Sequence, residues 1–131
     1  MRLEVILKPN KYRFQIPINY NLPLSAAIYK VYKSFAPNFS EWLHNKGFRN
    51  DDGKIYKLFT FSRLFFYKKE INHDIINGEG SVRFYFSSPL DDTLVNNFVY
   101  GLISTKNLSI GNYKVATDFK VEKVSMIPEP E

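Results

Sequence analysis

Apolar residues recur with a period of two in several stretches of this chain, and nothing constrains its fold more. Leu3, Val5 and Leu7 alternate with Arg2, Glu4 and Ile6 until Lys8-Pro9-Asn10 closes the run, which is the pattern of a strand with one buried face. Val82, Phe84 and Phe86 repeat it within Ser81 to Ser87. A longer alternation fills Tyr113 to Met126, where Val115, Thr117, Phe119 and Val121 share a face before Val124 and Met126 take it over one register later. That slip predicts a β-bulge near Glu122-Lys123. The run Leu58 to Phe66 is rich in aromatic residues and predicts a central strand, and Asn77-Gly78-Glu79-Gly80 predicts the turn that joins it, over 58–69, to 81–87 as a hairpin.

Helical spacing separates these strands. After an extended connection from Pro17 to Pro23, Leu24, Ile28, Val31, Tyr32 and Phe35 recur at three and four residues until Ala36-Pro37 stops them. Asn38 and Glu41 have the spacing of a capping box for a short second helix ending at Gly47, which places His44 in its last turn. Asn50-Asp51-Asp52-Gly53 then marks a turn. Ser88 as N-cap with Pro89 and Asp91 opens a further helix whose stripe is Leu90, Leu94, Phe98 and Leu102, broken by Ser104 to Asn107. Leu108 to Ile110 and a turn at Gly111-Asn112 precede the last strand. The order β-α-(α)-β-β-α-β predicts an α+β protein of ferredoxin-like (RRM-like) split β-α-β fold over residues 1–126, with an antiparallel sheet and helices on one face. Residues 127–131, with alternating Pro and Glu, are expected to be a linker stub or a solvated tail.

At 131 residues the chain supplies one core, and its 12 Phe, 9 Tyr and single Trp oppose disorder. Absence of cysteine excludes disulfides, thiolate nucleophiles and cysteine-ligated metals. No apolar run approaches the roughly 20 residues of a membrane span, so a soluble cytoplasmic protein without membrane contact is expected. The net charge of +5 favours a polyanionic partner.

Candidates for chemistry are few. His44 and His73 cannot form a three-histidine metal site, and no phosphate-binding glycine motif occurs, so no metal or cofactor is called for. Asp51-Asp52 and Asp91-Asp92 read as a solvated turn and a helix N-terminus, and His73, after Lys68-Lys69, reads as a surface residue. Tyr29 lies off the apolar stripe of its helix, His44 points away from Leu43, and Lys57 immediately precedes the aromatic strand. A tyrosine, a histidine and a lysine without metal ligands suit attack of an RNA 2′-hydroxyl on the adjacent phosphodiester: histidine moves the proton, tyrosine orients it, lysine stabilises phosphoryl charge. The alternatives are a non-catalytic RNA-binding module, using exposed aromatics such as Tyr67 and Tyr85, and a protein-interaction domain of the same fold.

The strand Met1 to Pro9, the connection Ile16-Pro17 to Tyr20, Ser25-Ala26-Ala27-Ile28-Tyr29, Trp42-Leu43-His44, Lys57-Leu58-Phe59-Thr60-Phe61-Ser62 and Ser87-Ser88-Pro89 occur in an order that resembles the CRISPR repeat-processing endoribonuclease family, the Cas six type. The resemblance implies metal-independent cleavage of precursor CRISPR RNA within repeats, leaving 2′,3′-cyclic phosphate and 5′-hydroxyl ends. Tyr29, His44 and Lys57 match the positions of that family's catalytic triad. Family members usually carry two tandem ferredoxin-like domains, the second with a glycine-rich loop that this chain lacks. The chain is therefore expected to be the N-terminal half. The resemblance makes CRISPR repeat RNA the expected partner, beside a second ferredoxin-like domain, a homodimer or a CRISPR effector complex.

Overall fold

The computed structural model describes residues 2–35, 48–49, 55–56, 60–87, 99–105 and 107–128. Nine strands and one complete helix occur among them: β1 (Arg2–Pro9), β2 (Arg13–Pro17), α1 (Asn21–Phe35), β3 (Phe48–Arg49), β4 (Ile55–Tyr56), β5 (Thr60–Phe61), β6 (Phe65–Asn72), β7 (Ile75–Ser87), β8 (Leu108–Gly111) and β9 (Ala116–Ile127). Residues 99–104 are also helical. The predicted helix at Asn38–Gly47 and the acidic pairs Asp51-Asp52 and Asp91-Asp92 lie outside the described residues. β3 and β4 pair antiparallel, Phe48 with Tyr56 and Arg49 with Ile55, and the predicted turn at Asn50–Gly53 lies outside the described residues.

The main sheet runs β9–β1–β7–β6 through its centre, all antiparallel. This is the ferredoxin-like order, with the first strand between the last and the third. β8 extends it beyond β9. The long strand β7 shares each of its edges between two strands in tandem. One edge takes β1 against 82–87 and β2 against 75–79, and the other takes β5 against 86–87 and β6 against 75–83.

The period-two pattern explains which face is buried. Leu3, Val5, Leu7, Val82, Phe84, Phe86 and Phe119 sit in one core with Leu24, Ile28 and Val31 of α1 and with Leu102. The predicted bulge is present: Ile6 pairs with Lys123 but Leu7 with Val121, leaving Glu122 as the extra residue. It keeps Val121 and Val124 on the same side of the sheet.

Three expectations need correction. The connection from Pro17 to Pro23 is shorter than predicted, because β2 precedes it and α1 already begins at Asn21. The Tyr20 carbonyl accepts the Leu24 N–H at 2.8 Å, and Pro23 is tolerated in the first turn, where its missing N–H has no intrahelical partner to lose. The last strand starts at Ala116 and not at Tyr113, because the Asn112 side chain accepts the Lys114 and Val115 N–H groups at 2.9 Å and holds 112–115 as the turn. The third correction concerns the central hairpin.

Asn77 to Gly80 is not a turn but part of β7. The reversal falls at His73-Asp74, between the paired residues Asn72 and Ile75, and His73 adopts φ 57° there. The predicted strand 58–69 is accordingly split into β5 and β6. The two glycines have other duties. Gly80 takes φ 78° at the bulge where Phe66 pairs with Val82 but Lys68 with Glu79, a conformation that suits glycine. A Cβ at Gly78 would stand 2.3 Å from Phe14 Cζ. The Phe14 ring is itself fixed, stacked on Phe66 at 6.2 Å and edge-on to Phe119 at 5.3 Å. Gly78→Ala is therefore expected to cost about 1–3 kcal/mol, the range of overpacked cores, read as a lower urea midpoint.

Candidate nucleic-acid interface

The three residues singled out for catalysis fare unequally. Tyr29 lies on α1, between the buried Ile28 and the exposed Lys30 and one turn after Ser25 and Ala26. Its side chain, and His44 and Lys57 entirely, lie outside the described residues. Lys57 precedes β5, whose Thr60 and Phe61 pair with Ser87 and Phe86 at the end of β7. Among the described residues no cluster of histidine and carboxylate groups has the form of a metal site.

The described structure does display the sheet face opposite the core. Alternation puts Arg2, Glu4, Ile6 and Lys8 of β1 there, beside Ser81, Arg83 and Tyr85 of β7, and Lys120, Glu122 and Lys123 of β9. Phe65 of β6, paired with Arg83, joins them. Five cations thus face three carboxylates, since Asp118 flanks the buried Phe119 on one side as Lys120 does on the other, and two of the three are engaged: Tyr85 Oη donates to Glu4 Oε2 at 3.1 Å, and Ser81 Oγ to Glu122 Oε2 at 2.9 Å.

Aromatic residues are fixed on this face by backbone hydrogen bonds. Ser62 N–H donates to the Tyr85 carbonyl and Tyr85 N–H to Ser62 Oγ, each at 2.8 Å, while Leu64 N–H donates to the Tyr20 hydroxyl at 2.9 Å. These bonds hold the 62–64 link between β5 and β6. Phe65 then meets Tyr85 edge-on at 5.7 Å, and the Arg63 guanidinium stands 4.9 Å above the Phe65 ring. Rings and cations in one layer are the combination that meets bases and phosphates together. The sequence pointed to Tyr67 and Tyr85; it missed Phe65, Arg63 and Tyr12, whose shared location depends on strand pairing.

Comparison with known proteins fits the fold. The family model for the N-terminal part of CRISPR-associated protein Cas6 matches residues 15–125. The chain belongs to the Cas6 family. A Cas6 relative from Methanocaldococcus jannaschii, the CRISPR-associated endoribonuclease Cas6 1, is 33% identical over 132 aligned residues that cover all of this chain and 47% of the relative. Among solved structures, a CRISPR-associated protein Cas6 is 33% identical with a TM-score of 0.71. A second, described as an RAMP protein binding different RNA substrates, is 25% identical with a TM-score of 0.78. Each covers the whole of this chain and 50% of its own. The chain thus spans about half the length of the Cas6 relatives it matches.

Proposed function

We propose that this chain is the N-terminal, catalytic-residue-bearing domain of a metal-independent endoribonuclease that cuts precursor CRISPR RNA within its repeats. The observation that carries this is the whole-chain match to a relative named as a CRISPR-associated endoribonuclease. The same half-length coverage supports a second ferredoxin-like domain beside this one. A homodimer or a larger CRISPR effector complex is the corresponding assembly, working in the cytoplasm.

The chemistry assigned to Tyr29, His44 and Lys57 is transesterification. The ribose 2′-oxygen attacks the adjacent phosphorus, a P–O bond forms to it, and the P–O5′ bond breaks. The 2′-hydroxyl proton is taken up and the 5′-oxygen leaves protonated, which gives a 2′,3′-cyclic phosphate and a 5′-hydroxyl. His44 moves the proton, Tyr29 orients the reacting hydroxyl, and Lys57 balances charge on the non-bridging oxygens. Because the substrate provides the nucleophile, no activated serine is required.

The test is a denaturing-gel assay of end-labelled CRISPR repeat RNA in EDTA, beside the same RNA with a single 2′-deoxy substitution at the cut. Cleavage of the ribose substrate alone, ending in cyclic phosphate, is the expected result. Cleavage of both substrates would refute 2′-hydroxyl attack. RNA retention without product would favour the binding-module alternative, for which the cationic, aromatic sheet face is the supporting observation.

A further inference from the structure

The chain between β5 and β6 is interrupted in a way that a plain hairpin does not need. Phe61 pairs with Phe86 and Phe65 with Arg83, so four steps along this chain match three along β7 and one residue is extra. Because successive side chains of a strand point to opposite faces, one extra residue reverses the parity across the interruption. Phe61 packs against the core, and so do Leu64 and Phe66, whereas Phe65 meets Tyr85 on the open face. Residues 62–64 leave the ladder there, and their backbone polar groups need partners beside Leu64, which is 2% exposed.

Two side chains supply those partners. Ser62 N–H donates to the Tyr85 carbonyl, and Ser62 Oγ accepts the Tyr85 N–H where a regular strand would present its own carbonyl. Leu64 N–H donates to Tyr20 Oη at 2.9 Å. Tyr20 comes from a distant part of the chain, the link between β2 and α1, and that link is itself fixed. Ile18 N–H donates to the Asp74 carbonyl at 2.8 Å, the Tyr20 carbonyl accepts the Leu24 N–H at the start of α1, and the Tyr20 ring meets Phe66 edge-on at 6.3 Å. One residue thus joins the start of α1, the helix that carries Tyr29, to the link that begins five residues after Lys57.

We propose that Tyr20 is a positioning residue for RNA cleavage, its hydroxyl fixing the spacing between the helix that carries Tyr29 and the strand segment that follows Lys57. This rests on the reading of Tyr29 and Lys57 as catalytic and adds a residue that acts only through them. β5 is two residues long and pairs with β7 alone among the described strands, so its own ladder restrains it weakly. The bonds made by Ser62 and Tyr20 supply the remaining restraint. The hydroxyl, not the ring, carries the connection: phenylalanine would keep the contact with Phe66 and leave the Leu64 N–H buried without an acceptor. A link that shifts to find another acceptor moves β5 relative to α1, and a misplacement of about 1 Å costs on the order of 100-fold in rate.

Single-turnover cleavage of end-labelled repeat RNA in EDTA, with affinity for the 2′-deoxy-substituted RNA measured alongside, tests this. Tyr20→Phe is expected to cut about 10- to 100-fold more slowly than wild type, with RNA affinity unchanged and amide hydrogen exchange at Leu64 accelerated. In the double variant Tyr20→Phe/Lys57→Ala the rate should equal that of Lys57→Ala, because a spacing that places the lysine has no effect once the lysine is gone. Ser62→Ala should repeat this pattern. Tyr113→Phe, which removes the hydroxyl of a 92% exposed ring, should leave the rate unchanged. A wild-type rate in Tyr20→Phe would overturn the inference. So would losses that multiply in the double variant, or RNA affinity that falls together with the rate, because the residue would then serve the fold in general. Cleavage by wild type and its loss in Lys57→Ala would show that the proposed function survives each of those results. Absence of cleavage by wild type would instead refute the proposed function, and this inference with it.

Discussion

His44→Ala is expected to lower the rate of repeat RNA cleavage by about 10²- to 10⁴-fold, the usual contribution of a positioned general acid or base. The fold should persist, because the hydrophobic core is assembled from β1, β2, β6–β9, α1 and the helical residues 99–104. The appropriate measurement is single-turnover cleavage in EDTA, with circular dichroism of the variant as the structural control. Tyr29→Phe keeps the ring and loses only the hydroxyl, so its loss should be smaller if the tyrosine orients and histidine moves the proton. Lys57→Arg retains a cation and should keep more activity than Lys57→Ala. Wild-type cleavage by His44→Ala would refute its catalytic role, and an equal collapse of cleavage and folded structure would assign it to packing instead.

Elements governed by local alternation were legible in the sequence. β1 follows directly from Leu3, Val5 and Leu7, and the bulge at Glu122 follows from the slip between Val121 and Val124, since the face-to-face period of a strand is two. β2 was less so, although Phe14 and Ile16 alternate, because it is only five residues long and is framed by Pro9 and Pro17. The Asn77–Gly80 segment misled for a physical reason. Glycine serves a turn, a bulge and a close ring contact alike, and only the position of Phe14 and the register of β6 distinguish these. At the candidate sites, the off-stripe position of Tyr29 was read from helical periodicity. The pairing of Lys8 with Lys120, and of Phe65 with Arg83, joins residues far apart in the chain. No local pattern contains that information.

Phe84→Ala is expected to cost about 3–5 kcal/mol, the range for removing a buried phenylalanine. Phe84 is fully buried and lies in β7, directly opposite the equally buried Val5. Since a domain of this kind has roughly 5–15 kcal/mol in total, the variant should lose about a fifth or more of its stability. Urea unfolding followed by circular dichroism would show this as a lower midpoint at unchanged slope, the sign of altered stability in an otherwise similar native state. Tyr85→Phe, one residue along on the open face, removes only the hydroxyl that donates to Glu4 and should cost about 0.5–1.5 kcal/mol. Equal effects at the two positions would contradict the assignment of one face to the core and the other to solvent. The contrast matters for function because Arg83 and Tyr85 are carried by the strand that Phe84 anchors. Loosening that ring should disturb the cations and aromatics of the open face together, whereas Tyr85→Phe leaves their backbone in place.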